Sequence, residues 1–595
     1  MISNRVWVRR FALFAALAAH LAVSISCAAL TISSGPSFTP ATNGPLAGTL
    51  ALTTDEPSRV SVSVSDGTNA WERNFYDYRT AHSFPLLGFK PARTNQITVT
   101  VRDKSRNEVT APQPVVFITP ALPGDFPKSV LLKSVPDKME PGYTLFRIQN
   151  QNTAKAYLGI VDRAGEVVWY SGVPTTSDVR QLANGNLFIP LSTNFVEVNL
   201  LGNTVRSWPV PAGLNINLHD GVPTDHGTIL YLNDASRVLT NFPGSATDPN
   251  APTQTTSVLY NRVVEISTTD ASLLNLWSPI DVLDPRRLTY LTFDSHVALG
   301  WDIEHANALI EDSRDNSIIV SLRNQNLVFK FSRDTGQLKW LLGSQANWGP
   351  DFQPYLLTPV GAPFEWQYGQ HAPTITPQGT LLIYDDGNSR ADPFDPPLPN
   401  TNNYSRAVEY DLNEQTLEIS QVWEFGKTND DRLYTDRVGN ADWLPRSGNV
   451  LINFGYVLYV NGVRPSSTAP AAVMCRIREV THDPDPKVVF DLAFFDYANT
   501  NASYRGYFAY RCHRIPDLYS TQAQSVQDLI VNYQDGYPRL EFSSDEARTY
   551  LVEASTDLSQ WDQIGAAEHD GNGNFHFEDM QAEDLPARYY RVVTQ

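Results

Sequence analysis

Cysteine is scarce in this chain of 595 residues, which holds only Cys27, Cys475 and Cys512. No two are vicinal and no regular tryptophan-docking repeat accompanies them, so a quinone-dependent dehydrogenase has no support. Basic residues are also few, 45 Lys and Arg against 64 Asp and Glu, for a formal charge of −19. Binding to phosphate backbones needs a basic footprint, so nucleic acid is disfavoured as a partner. A small anionic substrate stays open, provided a local cluster of Arg and His overrides the global field. Histidine and carboxylate residues do not recur at a liganding spacing, so neither a metal nor another cofactor is expected. Long apolar runs are missing too. Phe11–Ile25 is about 15 residues including His20, short of the ~20 that a membrane span needs.

That run follows Arg5, Arg9 and Arg10 and precedes Ser26, Cys27, Ala28 and Ala29. It reads as a secretory signal over residues 1–29, cleaved after Ala29. Lipidation of Cys27 and a retained anchor are the rival readings. The product is expected to be exported, periplasmic or secreted, and not an integral membrane protein. An oxidising compartment permits one disulfide between Cys475 and Cys512, which is expected near the seam that closes the repeat array described next. Two buried thiols are the alternative.

What the chain does have is patterned strands. Hydrophobic residues make up 42% and aromatics 11%, enough for two to four packed domains. Arg59–Ser65 and Gln96–Arg102 alternate Val or Ile with polar residues, marking residues 30–121 as an N-terminal β-sandwich. Within residues 122–528 a degenerate unit recurs. Each copy opens on a polar turn and a short apolar strand, at Ala183–Ile189, Asp225–Tyr231, Arg314–Val320, Pro377–Ile383 and Arg446–Ile452. A second strand sets a polar residue among apolar ones, at Phe195–Val198, Val263–Ile266, Val328–Phe331, Ala407–Tyr410 and Ile477–Val480. A third carries Trp208, Trp277, Trp340, Trp423 or, in the last copy, Phe490. A sixth unit can be assembled from Tyr157–Val161, Val167–Tyr170 and the late strand Tyr507–Ile515. The expected fold is all-β: a six-bladed β-propeller flanked by the N-terminal β-sandwich and a small C-terminal β-sandwich module over residues 537–595.

Innermost strands of such a ring line a central channel. His219, His305 and His371 each sit shortly before the turn of a unit, and Asn440-Ala-Asp442 stands there in the next. One such histidine is more often structural than reactive, but three at matching positions converge on one axis. Arg390 ends the loop Asp385–Arg390 just after an inner strand, either a surface turn or a guanidinium aimed at an anion.

At this point a resemblance appears. Gly369–Ala372, Asp386–Arg390, Tyr404–Tyr410 and Gln421–Gly426, preceded by Asp302–Asn307 and Ile318–Gln325, resemble consecutive motifs of the bacterial arylsulfotransferases. The resemblance runs over about residues 140–520. It implies transfer of a sulfuryl group from a phenolic sulfate ester to an acceptor phenol without a nucleotide donor. Its partners would be those small molecules, with a homodimer open. Such transfer loads charge onto three sulfuryl oxygens and the departing phenolate, so it needs cationic donors and a proton source. His371 is the expected nucleophile or general acid–base, with His305 and Arg390 on the sulfuryl oxygens. His219, Arg323 and Arg406 are the expected substrate-binding residues, although either arginine can equally pair with a carboxylate on a strand. The family forms a sulfohistidine, expected beyond the Arg390 loop, but Asn449–Tyr459 holds no histidine. Asn324 likewise stands where the family pattern leads one to expect histidine. The alternative is a non-catalytic propeller that holds sulfated or phenolic glycans.

Overall fold

The computed structural model describes residues 29–594, apart from 104, 106, 173–177, 429, 466–471, 520–526, 535–536, 545–548, 557, 559, 572–573 and 583–587. The expected signal segment, with Cys27, lies outside them save for Ala29. Two compact units form. One gathers residues up to 41, 47–120 and 520–595; the other gathers 42–46 and 121–519.

In the first unit, alternation becomes register. Strands Gly48–Ser65 and Thr94–Asp103 pair antiparallel, with Val60 opposite Val101, Val62 opposite Val99 and Val64 opposite Ile97. All six side chains are buried, because a period of two sends each of them to the same face. The C-terminal strands form two further antiparallel sheets. Phe542, Tyr550 and Phe575 pack between them with ring centroids 4.8–5.5 Å apart.

The second unit consists of six sheets, each mainly antiparallel. The first joins Tyr143–Asn150, Ala156–Val161 and Val167–Ser171 to the late strand Tyr507–Ile515. The next three begin at Arg180–Gln181, Gly221–Pro223 and Ala306–Asp312, and the last two at His371–Ile375 and Gly439–Trp443. Ser129–Ser134, from the start of the unit, adds the outermost strand of the sixth sheet. Both ends of the unit are therefore tied into sheets made by the other end.

The residues between neighbouring sheets explain the sequence repeat. The polar residue of the third strand is buried at a seam in four sheets: Glu265, Lys330, Glu409 and Glu479. Glu265 is bound by Arg333 of the fourth sheet, which also binds Glu311. Lys330 donates to Asp312 and to Glu414 of the fifth sheet, both at 2.8 Å. Glu409 meets His482 of the sixth, and Glu479 accepts from Arg514 of the first at 2.6 Å. Tryptophan indoles staple two further seams, Trp169 donating to the Leu200 carbonyl at 2.7 Å and Trp208 to Thr268 at 2.9 Å, and Trp423 adds a bond to Asp483 at 3.2 Å at the seam of Glu409 and His482. An aromatic with one polar handle suits a site that is apolar but must still hold an edge.

One expectation fails. Cys475 and Cys512 are buried and free, not bonded to each other. They occupy strands of different sheets, Met474–Val480 and Tyr507–Ile515, and the Cys475 thiol donates instead to Asn453 Oδ1 at 3.4 Å. Burial pushes both thiols well above their ordinary range, so neither is a ready thiolate. In native protein without reductant Cys475 and Cys512 should therefore resist alkylation, and on denaturation each should take up one label by peptide mass spectrometry. Arg333→Met should lower the unfolding free energy in urea by about 3 kcal/mol, because it strands a buried Glu265 carboxylate.

Candidate active site

His305 is gripped twice by Asp302. Its amide donates to Asp302 Oδ1 at 3.1 Å, and its ring Nδ1 lies 2.6 Å from Oδ2. This closes a tight turn in which His305 takes a positive φ of 48°. The same turn receives the next strand: Arg323 N donates to the His305 carbonyl and Asn324 N to that of Glu304. A short 3₁₀ turn, Arg323–Gln325, thus brings Arg323 against His305.

His371 opens the inner strand of the fifth sheet, and Gln370 before it is its anchor. The Gln370 side chain donates to Ser321 Oγ at 3.0 Å and to the Leu327 carbonyl at 2.9 Å. Its own carbonyl accepts from Asn307 Nδ2 at 2.8 Å. With Gln370 pinned to the fourth sheet, His371 is fully buried and its Nδ1 lies 2.6 Å from Asp386 Oδ2. His219 precedes the inner strand of the third sheet; its Nδ1 bonds Asn217 Oδ1, and Asn217 donates to Asp234 at 2.6 Å. The His219 and His305 rings meet edge to face, 4.6 Å between centroids.

These groups also sense one another electrostatically. Burial holds His371 well below the ordinary imidazole range, and Arg323, His305, Arg511 and His219 push it the same way. His219 is lowered well below its range by burial, then by His305, Arg511 and Arg323. His371 and His219 are therefore both held neutral. A neutral His371 whose Nδ1 proton is directed to Asp386 keeps the lone pair of Nε2 available for attack. In a chain of charge −19, this is a local cationic pocket.

A family model of arylsulfotransferase matches residues 128–505, and one of the arylsulfotransferase Ig-like domain matches residues 37–116. The chain belongs to the arylsulfotransferase family. An arylsulfate sulfotransferase AssT of Escherichia coli is 25% identical over 327 residues, 45% of this chain and 52% of that protein. The AssT of Lelliottia amnigena is 24% identical over the same shares. The chain thus spans about half the length of these curated relatives. A solved protein of unknown function from Bacteroides caccae, 13% identical, aligns with 62% of this chain and 98% of its own at a TM-score of 0.35, too low to argue from.

The other residues singled out by the arylsulfotransferase motifs lie differently. Arg390 is occupied by acceptors: Asp385 at 3.0 Å, Asn403 at 3.2 Å, Glu365 at 3.4 Å and the Tyr404 carbonyl at 2.8 Å. Arg406 is fully buried and binds the same Asp385 at 2.8 Å, with Glu424 at 2.5 Å. Against burial, which would raise it, Arg390 and Arg406 bring Glu365 down to about 2. The two arginines brace a carboxylate cluster beneath the loop, leaving Arg323 as the arginine beside the histidines. Asn324 is scaffold: it donates to the Asp302 carbonyl at 2.6 Å and accepts from Arg323 at 2.8 Å.

Sequence reasoning gave no role to Asp302 or Asp386, although both stand inside the quoted motifs. It also missed Tyr510 and Arg511 on the closing strand. Arg511 donates to Asp178 at 3.1 Å, to Asp220 at 3.2 Å and to the Asn307 carbonyl at 2.7 Å. Next to it, His513 lies between Asp178 at 2.7 Å and Asp442 at 2.6 Å. Burial would lower His513, but these two carboxylates raise it to about 9. Its folded value exceeds the unfolded 6.5, so its contribution to stability is full below pH 6.5 and lost as pH rises through about 9. Unfolding free energy measured in urea should fall across that window, and His513→Gln should flatten the fall.

Proposed function

We propose that this protein transfers a sulfuryl group from a phenolic sulfate ester to an acceptor phenol, with His371 as the nucleophile. The observation that carries the reading is the cluster itself: His371 tied to Asp386, beside His305, His219 and Arg323, with burial keeping the attacking imidazole neutral. In the first half-reaction Nε2 of His371 forms an N–S bond as the S–O bond to the aryl group breaks. The electron pair goes to the phenolic oxygen, which takes a proton from His305, the ring paired with Asp302. Arg323 is assigned the sulfuryl oxygens, where charge gathers in the transition state, while His219, whose Nδ1 proton goes to Asn217, packs against the His305 ring. The acceptor phenol then returns its proton to His305, attacks sulfur and releases His371. Arg390 is assigned to support of the loop that carries Asp386.

The six sheets are inferred to be blades of a propeller. The third to sixth sheets touch in turn through their inner strands, and the sixth touches the first through Gly439–Trp443 and Tyr507–Ile515, which supports a closed ring. Residues 30–121 and 537–595 are inferred to be sandwiches, and export through residues 1–29 completes the reading.

With 4-nitrophenyl sulfate and excess phenol, His371→Ala should lose at least ~10²-fold in turnover while unfolding at nearly the wild-type temperature. Asp386→Asn should lose rate as well, and Arg323→Met should lower kcat more than it raises KM. Wild-type rates should persist as pH falls below 6.5, since His371 resists protonation there. Normal turnover in His371→Ala would move the nucleophile elsewhere. Wild-type protein that binds aryl sulfates yet never releases the phenol would instead be a binding module for sulfated or phenolic glycans.

A further inference from the structure

A cavity of about 280 Å³ lies among the innermost strands of the second unit. Its apolar wall includes Ala308, Ala372, Pro373 and Leu444. Ala372 directly follows His371, but none of His219, His305, Arg323 or His371 lines the space. Four cationic side chains do, Arg180, Arg511, His513 and Arg514, against the two carboxylates Asp220 and Asp442.

The hydrogen bonding of this lining is lopsided. Its acceptors are taken: Asp220 receives Arg180, Arg511 and the amides of Gly221 and Leu309, and Asp442 receives His513. Asn440 exchanges bonds with both the amide and the carbonyl of Cys512. The buried side-chain atoms of the lining that lack a partner, among the described residues, are all arginine donors. They are Nε of Arg180, Nε of Arg511, and both Nε and Nη1 of Arg514. The Arg180 Nε sits 2.9 Å from Asp178, so its charge at least is answered. The Arg511 and Arg514 side chains are 2% and 3% exposed and meet carboxylates through Nη1 and Nη2 respectively, but their donors just named are left without an acceptor. A buried donor left without an acceptor is unfavourable, and a ligand that only accepts removes that cost at several donors together. An oxyanion does so better than water, because charged acceptors bind guanidinium N–H groups about twice as strongly as neutral ones.

We propose that this cavity binds a small tetrahedral oxyanion of the sulfate or phosphate class, at a site separate from the histidine cluster. Its wall is continuous with the strand that begins at His371, and Arg511 links it to Asn307 beneath the cluster.

Titration calorimetry of the full chain with sodium sulfate, phosphate and chloride at matched ionic strength tests the proposal. Sulfate and phosphate should give saturable heat, and chloride none. Ile310→Glu, a partly exposed lining position, should weaken the binding at least ~tenfold by adding a carboxylate, and Arg514→Gln should weaken it too. His371→Ala should bind as the wild type does. The proposal is overturned by the absence of saturable heat in wild-type protein, or by wild-type affinity in both lining variants. It is equally overturned if His371→Ala abolishes binding, which would put the anion in the sulfuryl site. The titration needs no turnover, so its failure and the failure of the transferase reading are told apart.

Discussion

Cancellation of buried charge across the seams is what lets six sheets stand against one another. Glu265, Lys330, Glu409 and Glu479 each sit mid-strand, out of water, where an unpaired charge costs several kcal/mol. Each is answered by a residue of the following sheet, and the last by Arg514 of the first. A pair of this kind tolerates little sliding, so at these four seams each sheet inherits its height from its neighbour. That inherited register brings the openings of separate inner strands to one level. His305 and His371 come within electrostatic reach because Gln370 and Asn307 lock the fourth sheet to the fifth.

Desolvation lowers two imidazoles on different inner strands, yet their charge states differ. At His371, burial and the repulsion of Arg323 and Arg511 keep the imidazole neutral despite Asp386 at 2.6 Å. Around His513 the neighbours are Asp178 and Asp442, which overcome burial and hold the ring charged. The side chain is the same; His371 is the more deeply buried and has one close carboxylate among cations, whereas His513 has two carboxylates. Arg511 belongs to both settings, bound to Asp178 and Asp220 on one side while its charge lowers His371 and His219 on the other.

Much of this was legible before any coordinates. Alternation in Arg59–Ser65 and Gln96–Arg102 became paired strands, because a period of two has only one way to bury Val and Ile. The polar residue within Val263–Ile266 or Ile477–Val480 could be seen but not interpreted, since its partner lies in a different repeat. The recurring Trp was visible too, while its role as a donor to the next sheet was not. His219, His305 and Arg323 were named from matching positions and motif order, and they do gather with His371. Arg390 looked equally promising in the motif, yet Asp385 and Glu365 occupy its donors.

The sequence by itself determined the strand pattern, the repeat, the family and the three histidines of the cluster, because periodicity and motif order are local properties of a chain. Only the tertiary structure decided which arginine stays with the histidines and which carboxylate orients each ring. It alone decided that Cys475 and Cys512 stay unbonded, and that His513 is held charged while His371 is held neutral. Those outcomes turn on distances between residues far apart in the chain, and on how much water each contact excludes.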